Sequence, residues 1–226
     1  MKGELVIHNP YYPWTKIHNN DTTCCLKGIF FHDNKLLQNE DIVHLFSSFF
    51  KGEHIEYENL KNFLLELNGN FAFVLETSHY IFCMVDRVRS IPLFYAKNKN
   101  GAIFSDDANY IREHLNPPFC EENGAEFLVT GYVTGNETLF DGIFQVQAGE
   151  YLIFDKTSGN FSTHFYHHYW HGNFFTDSEE DLLNRLDDVF VHVFERLVAS
   201  TKGYQIVVPL SGGLDSRIIV AMLKRL

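Results

Sequence analysis

Ser211-Gly212-Gly213-Leu214-Asp215-Ser216 is the stretch of this chain whose residue types and spacing could do chemistry. Two glycines without a Cβ let a backbone turn tightly and come close to a ligand. The hydroxyls of Ser211 and Ser216 can donate to phosphate oxygens, and the Asp215 carboxylate can hold Mg²⁺ against them. Val207-Val208-Pro209-Leu210 before the loop and Ile218-Ile219-Val220-Ala221-Met222-Leu223 after it predict a buried strand, a tight turn and a helix start. At a helix N-terminus the unpaired N–H groups and the dipole favour an anion. The loop is therefore expected to cradle pyrophosphate, with Asp215 placed to hold Mg²⁺. The plainer alternative is a strand-to-helix turn in which Asp215 only caps the helix.

The elements around it read as follows. Leu26 to Phe31 is a short apolar strand before a turn at Asp33-Asn34. Ile42, Leu45, Phe46 and Phe49 recur at helical spacing, as do Leu60, Phe63, Leu64 and Leu67 in a helix expected to end at Asn68-Gly69. Phe71 to Leu75 and Tyr80 to Val85 form two strands, Pro92 to Ala96 and Ala102 to Ser105 a further pair, and Tyr151 to Phe154 one more. Asp106 is placed to cap a helix from Ala108 to Leu115. Leu182, Leu183, Leu186, Val189, Phe190, Val193, Phe194 and Leu197 form one apolar stripe on a helix capped by Thr176 or Asp177. Antiparallel strands interleaved with helices predict an α+β sandwich.

Composition narrows the function classes. The net charge is −11, against a nucleic-acid partner, since phosphate backbones are met by basic faces. There is no apolar run of membrane-spanning length and no signal-peptide pattern at the start, so a cytoplasmic location is expected. The 22 Phe and 11 Tyr supply bulky core surface. Cys24, Cys25, Cys83 and Cys120 show no metal spacing or secreted framework and read as buried, reduced thiols.

The glycine loop does not match the Walker pattern, because no Lys follows the glycines. It resembles the PP-loop of ATP pyrophosphatases, enzymes that cleave ATP between the α and β phosphates and make an acyl-adenylate. Upstream, Leu67-Asn68-Gly69-Asn70-Phe71-Ala72-Phe73 is similar to the Leu-x-Gly-x-Phe-Ala-Phe stretch of class II glutamine amidotransferase domains. Asp86-Arg87-Val88-Arg89-Ser90-Ile91-Pro92-Leu93-Phe94-Tyr95 resembles their Asp-Arg-x-Gly-x-x-Pro-Leu-Tyr-Tyr segment, and Phe104-Ser105-Asp106-Asp107 sits where they have Phe-Ala-Ser-Glu. Gly131-Tyr132-Val133, Thr138 to Ile143 and Ala148-Gly149-Glu150 resemble the exit of that domain, and Tyr169-Trp170 the aromatic pair before a synthetase domain. In this order the pieces resemble glutamine-hydrolysing asparagine synthetase from about Leu60 onward. The resemblance implies an N-terminal-nucleophile-type αββα sandwich over residues 1–165, a linker over 166–175, and the first helix, strand and PP-loop of an α/β synthetase domain over 176–226. One strand and one helix cannot enclose adenine, so the chain is expected to be part of something longer and not to turn over by itself.

The departures from the family pattern are informative. The family's glutaminase nucleophile is an N-terminal cysteine whose own α-amine is the base; here residue two is Lys2. The segment carrying the family's arginine clamp is unrecognisable before Leu60, and the glycine of Asp-Arg-x-Gly is Arg89. Asn68 and Gly69 match the oxyanion-hole positions, and Asp86 the carboxylate that holds the glutamine α-amine. A hole without a nucleophile gives no acyl-enzyme, so the glutaminase half is expected to be a remnant. Cys25-Leu26-Lys27-Gly28-Ile29 echoes the family's Cys-Gly-Ile start, but a cysteine on an apolar strand is expected to pack inertly. His164, His167, His168 and His171 invite a metal reading, with His164 and His168 one helical turn apart. The interleaved Phe165, Tyr166, Tyr169 and Trp170, and the lack of a His-Glu-x-x-His pattern, make an aromatic linker the expectation.

Two function classes follow. One is an asparagine synthetase-like, ATP-dependent amide-forming ligase acting on a carboxylate, aspartate by resemblance, with nitrogen from ammonia or an amine. The other is a non-catalytic pseudo-glutaminase module that binds a partner. The resemblance implies small-molecule substrates, no nucleic acid and no membrane, and leaves room for a homodimer.

Overall fold

A computed structural model describes residues 2–6, 13–19, 22–99, 101–172 and 174–226. They gather into two compact units, residues up to 30 with 38–168, and 31–37 with 169–226. In chain order the elements are β1 (Lys2–Val6), β2 (Thr15–Asn19), β3 (Thr22–His32), β4 (Lys35–Leu36), α1 (Asn39–Ser48), β5 (Phe50–Lys51) and β6 (His54–Ile55). Then come α2 (Tyr57–Glu66), β7 (Asn68–Glu76), β8 (Tyr80–Val85), β9 (Phe94–Asn98), β10 (Gly101–Ser105), α3 (Ala108–Leu115) and α4 (Glu121–Thr130). The chain finishes with β11 (Ile143–Gln145), β12 (Glu150–Asp155), β13 (Asn160–Phe165), α5 (Glu179–Ser200) and α6 (Leu214–Arg225).

The first unit is a mixed structure of sheets and helices, as expected. One sheet runs β1-β10-β9-β11 and the other β13-β12-β8-β7-β3-β2, with β4 folded back on the end of β3. Strand periodicity assigns side chains to layers. Ala72 and Val74 of β7, and Ile81, Cys83 and Val85 of β8, join Tyr95, Ala102 and Phe104 of the other sheet in one buried cluster. The intervening Phe73 and Phe82 face the opposite way, where Phe46 of α1 stacks on Phe73 at 4.1 Å and lies 5.8 Å from Phe82. Phe63 of α2 closes this layer edge-on to Phe46 at 5.4 Å. Across the smaller sheet, Ile111 of α3 packs with Ala96, Ile103 and Ile143. The order is helix, sheet, sheet, helix. Both sheets are buried on both faces, which is why their central strands are almost continuously apolar.

Several local expectations are corrected. β3 is longer than the apolar run Leu26 to Phe31, because it pairs antiparallel with β2 back to Thr22. Helix α2 stops at Glu66, and Asn68-Gly69 already belongs to β7. The cap of α3 is Asp107, whose carboxylate accepts from Asn109 N at 2.9 Å, while Asp106 accepts from Trp14 Nε1 at 2.8 Å. The cap of α5 is Ser178 and neither Thr176 nor Asp177; its Oγ accepts from Asp181 N at 3.2 Å. β13, α4, β1, β2 and β11 have no counterpart in the sequence reading. The Asp33-Asn34 turn is present with both residues left-handed (φ 48° and 59°), the requirement of a two-residue hairpin turn.

In the second unit, α5 and α6 pack together, and the Arg225 guanidinium grips Asp187 with Nη2 2.8 Å from Oδ2. Arg196 Nη1 donates to Asn34 Oδ1 at 2.7 Å. The apolar stripe of α5 is largely uncovered, with Leu183 58% and Val189 56% exposed. Residues 207–210 were expected to be a buried strand and are irregular. Among the described residues no strand lies alongside to take up their N–H and C=O groups, and an unpaired segment has no ladder to fix it as β.

Candidate functional site

The Asp86 loop is fastened from within. Asp86 is buried, 1% exposed, at the end of β8. Its Oδ2 accepts from Phe71 N and Ser90 N, each at 3.0 Å, and its Oδ1 accepts from Val88 N at 2.9 Å. Its backbone carbonyl accepts from Arg89 N at 3.1 Å and Gly149 N at 3.0 Å. A carboxylate has about four acceptor sites, and three are filled by backbone amides. Asp86 thus ties β7, the turn after β8 and the start of β12 together.

The neighbouring motif residues serve the same junction. Gly69 has φ +127°, and a Cβ there would stand 2.0 Å from Ile29 O on β3. Gly28 has φ +97°, and a Cβ there would stand 2.0 Å from Asn70 O. The two strands approach so closely that neither position has room for a side chain. Asn68 Nδ2 donates to Glu66 O at 3.2 Å, and Asn70 Nδ2 to Ser90 Oγ at 2.7 Å. Gly149 is likewise hemmed in, with a Cβ falling 2.4 Å from His167 O, and Tyr166 Oη donates to Val85 O at 2.8 Å.

The nucleophile positions carry no activated thiol. Lys2 lies in β1, paired with Gly101 of β10. Cys25 is 2% exposed inside β3, and burial pushes its thiol pKa up, with Lys16 opposing and Glu76 reinforcing the shift. Cys24 is pushed up to about 12, by burial first and then by Cys25. Cys83 is buried as well, and Cys120 is partly exposed at the start of α4. A thiol held protonated is a weak nucleophile.

The glycine loop is built the other way. Gly213 is the N-cap of α6, and the stretch from Ser211 to Asp215 is exposed. Ser216 Oγ accepts from Ser211 N at 3.1 Å and lies 3.1 Å from Ser211 Oγ, while Gly213 N donates to Ser211 Oγ at 3.3 Å. These bonds curl the loop over the helix start. Neither glycine is among the positive-φ positions, so the turn itself does not demand them. A Cβ on Gly212 would meet nothing within 4 Å. The glycines leave open space outside the loop, next to the N–H groups of the helix start and the first-turn carboxylate of Asp215. Hydroxyls, free amides and one carboxylate are a donor set that suits phosphate oxygens with Mg²⁺, and Asp215 is the residue that would hold the ion.

The histidines are dispersed. His164 is in β13, not on a helix, and stacks on Tyr151 at 5.1 Å. His168 packs against Phe165 at 4.4 Å and His171 against Tyr169 at 5.0 Å. Burial lowers the His167 pKa, with Arg87 and His168 adding to the shift.

Sequence reasoning named one departure from the family pattern without giving it a role. Arg89, where the family has glycine, adopts φ +56°. The left-handed region costs a non-glycine residue about 1–2 kcal/mol, which explains the family's choice. No helix among the described residues is long and apolar enough to cross a membrane.

The model of the glutamine amidotransferase domain matches residues 54–170. Among solved structures, the chain is similar to glutamine phosphoribosylpyrophosphate amidotransferase from B. subtilis, complexed with ADP and GMP, at 16% identity and TM-score 0.37 over 69% of this chain and 31% of that one. It is also similar to a structure titled as the allosteric regulatory enzyme of purine biosynthesis, at 16% identity and TM-score 0.35 over 66% of this chain and 30% of that one. The chain therefore spans less than a third of these chains' lengths. No curated protein matches it. With more than half of its residues matched by the family model, the chain belongs to the glutamine amidotransferase domain family.

Proposed function

We propose that this chain belongs to an ATP-dependent amide-forming ligase of the asparagine synthetase type, with an amidotransferase domain that does not hydrolyse glutamine. The observation that carries the reading is the open loop at Ser211 to Ser216, where an exposed glycine pair, two hydroxyls and the Asp215 carboxylate gather at a helix N-terminus. In this reading the loop amides and the Ser211 and Ser216 hydroxyls hold the β and γ phosphates of ATP, and Asp215 holds Mg²⁺. A substrate carboxylate, aspartate by resemblance, then attacks the α-phosphate and releases pyrophosphate. Ammonia or an amine displaces AMP from the acyl group. The loop's own hydrogen bonds support this role by fixing its curl before any ligand arrives, which lowers the ordering cost of binding.

The amidotransferase half supports an ammonia source over glutamine. Its buried thiols are held protonated, and the Asp86 carboxylate is committed to three backbone amides. That commitment also favours a second reading, a pseudo-glutaminase module kept for its fold. Magnesium pyrophosphate separates the two. Titrated into the protein, it should bind, and Gly213→Val should abolish the binding. Undiminished binding by that variant, or none by the parent, would sink the ligase reading and leave the module. In a protein that turns over, ATP and aspartate should yield pyrophosphate with ammonia, and glutamine should add nothing.

A further inference from the structure

A cavity lies against the outer face of the smaller sheet, with Arg89 of the turn after β8 in its wall. It has a volume of about 570 Å³, within the range of small-molecule sites. Its walls include Phe94, Phe127, Tyr132 and Phe140, with Arg89 and Glu137 as the charged residues. Glu137 already has a partner, since its Oε2 accepts from Asn123 Nδ2 at 3.2 Å. Arg89 has none of opposite charge. Its guanidinium sits over the Phe94 ring with Cζ 5.6 Å from the centroid, and among the described residues no carboxylate lies within ion-pair distance of it. Its Nε is buried without a hydrogen-bond partner. Burial also pulls the Arg89 pKa down, the mark of a cation kept from water.

The backbone carries the second part of the argument. Arg89 occupies φ +56°, where glycine would be unstrained. Strain of this kind costs about 1–3 kcal/mol and is characteristic of positions held for a ligand. A bulky cation has therefore been set at a position suited to glycine, at the wall of an aromatic cavity, with its charge unpaired. We propose that this cavity binds a small carboxylate with an aromatic or aliphatic body, the carboxylate on the Arg89 guanidinium and the body among Phe94, Phe127, Tyr132 and Phe140. An arginine fork matches a carboxylate with paired N–H donors, and the rings supply the apolar contact.

The test is calorimetric titration with 3-phenylpropionate against its neutral isostere 3-phenylpropionamide. The acid should bind at least tenfold more tightly than the amide. Arg89→Gly should remove that preference while leaving the melting temperature unchanged or higher, because it deletes the charge and relieves the backbone together. Arg89→Gln, which keeps a polar side chain but removes the charge, should also lose it. Phe127→Ala, at a half-exposed wall position, should weaken both probes severalfold. Equal binding of acid and amide, a preference that survives Arg89→Gly, or no binding of 3-phenylpropionate at millimolar concentration would each overturn the proposal.

Discussion

Two loops of this chain stand out in the sequence, and one turns its polar atoms inward while the other leaves them exposed. Around Asp86 the carboxylate is buried and met by Phe71, Val88 and Ser90 amides, with Gly69 and Gly28 closing the gap between β7 and β3. Around Ser211 the two serine hydroxyls bond to each other, Gly212 faces open space, and a Cβ on Gly213 would meet only Ser211 Oγ, at 3.4 Å. A motif can thus persist because a fold needs it or because a ligand needs it, and residue identity alone does not separate the cases. Partner saturation does. The first loop has few acceptor sites left for a substrate, whereas the second has donors with nothing to bind.

The contrast is broken most severely at Asp86. Asp86→Ala should leave three backbone amides unpaired at a buried site and destabilise the fold by about 3–5 kcal/mol in urea unfolding. A loss under about 1 kcal/mol would mean that the carboxylate is free for another role. Next comes Gly69→Ala, which forces a Cβ against Ile29 O in a left-handed conformation and should cost roughly 2–4 kcal/mol. An unchanged unfolding midpoint there would show that β3 and β7 can move apart.

A smaller effect concerns the thiols of β3. In the folded chain Cys24 is pushed up to about 12 from an ordinary value of 9.0, so the folded state keeps its proton where the unfolded state has lost it. Its contribution is fully present below pH 9.0 and is lost as pH rises toward about 12. Stability should fall by about 1 kcal/mol between pH 9 and 10 on this account. Below pH 8 a thiol reagent should label Cys120 and spare Cys24, Cys25 and Cys83; fast native-state labelling of Cys25 would reopen it as a nucleophile. The smallest stability effects belong to the open loop, where Gly213→Val and Asp215→Asn should each shift unfolding by less than about 0.5 kcal/mol. Their effect belongs in magnesium pyrophosphate binding, with the glycine change blocking the anion and the aspartate change weakening only the metal-dependent part. Destabilisation by either would show that the loop is a folding element like its counterpart.

Much of the sandwich is legible without coordinates. The unbroken apolar runs Phe71 to Leu75 and Tyr80 to Val85, and the helical recurrence of Ile42, Phe46, Leu60 and Phe63, are properties of the chain itself. The Ser211 to Ser216 loop is legible for the same reason, since a glycine pair between two apolar runs already implies a turn at a helix start. What the sequence could not fix are features that depend on a neighbour far along the chain. Residues 207–210 have the composition of a strand but remain irregular, because a strand exists only beside another. β13 and the extension of β3 form because β12 and β2 lie beside them. The choice of Asp107 over Asp106 as helix cap rests on Trp14, which claims the other carboxylate from 92 residues away. Asp86 and Arg89 make the same point at the sites. Their identities and positions were visible in the sequence, but that one carboxylate is saturated and one guanidinium unpaired was decided by the packing around them, because a hydrogen bond is a property of two groups and only the folded chain says which two meet.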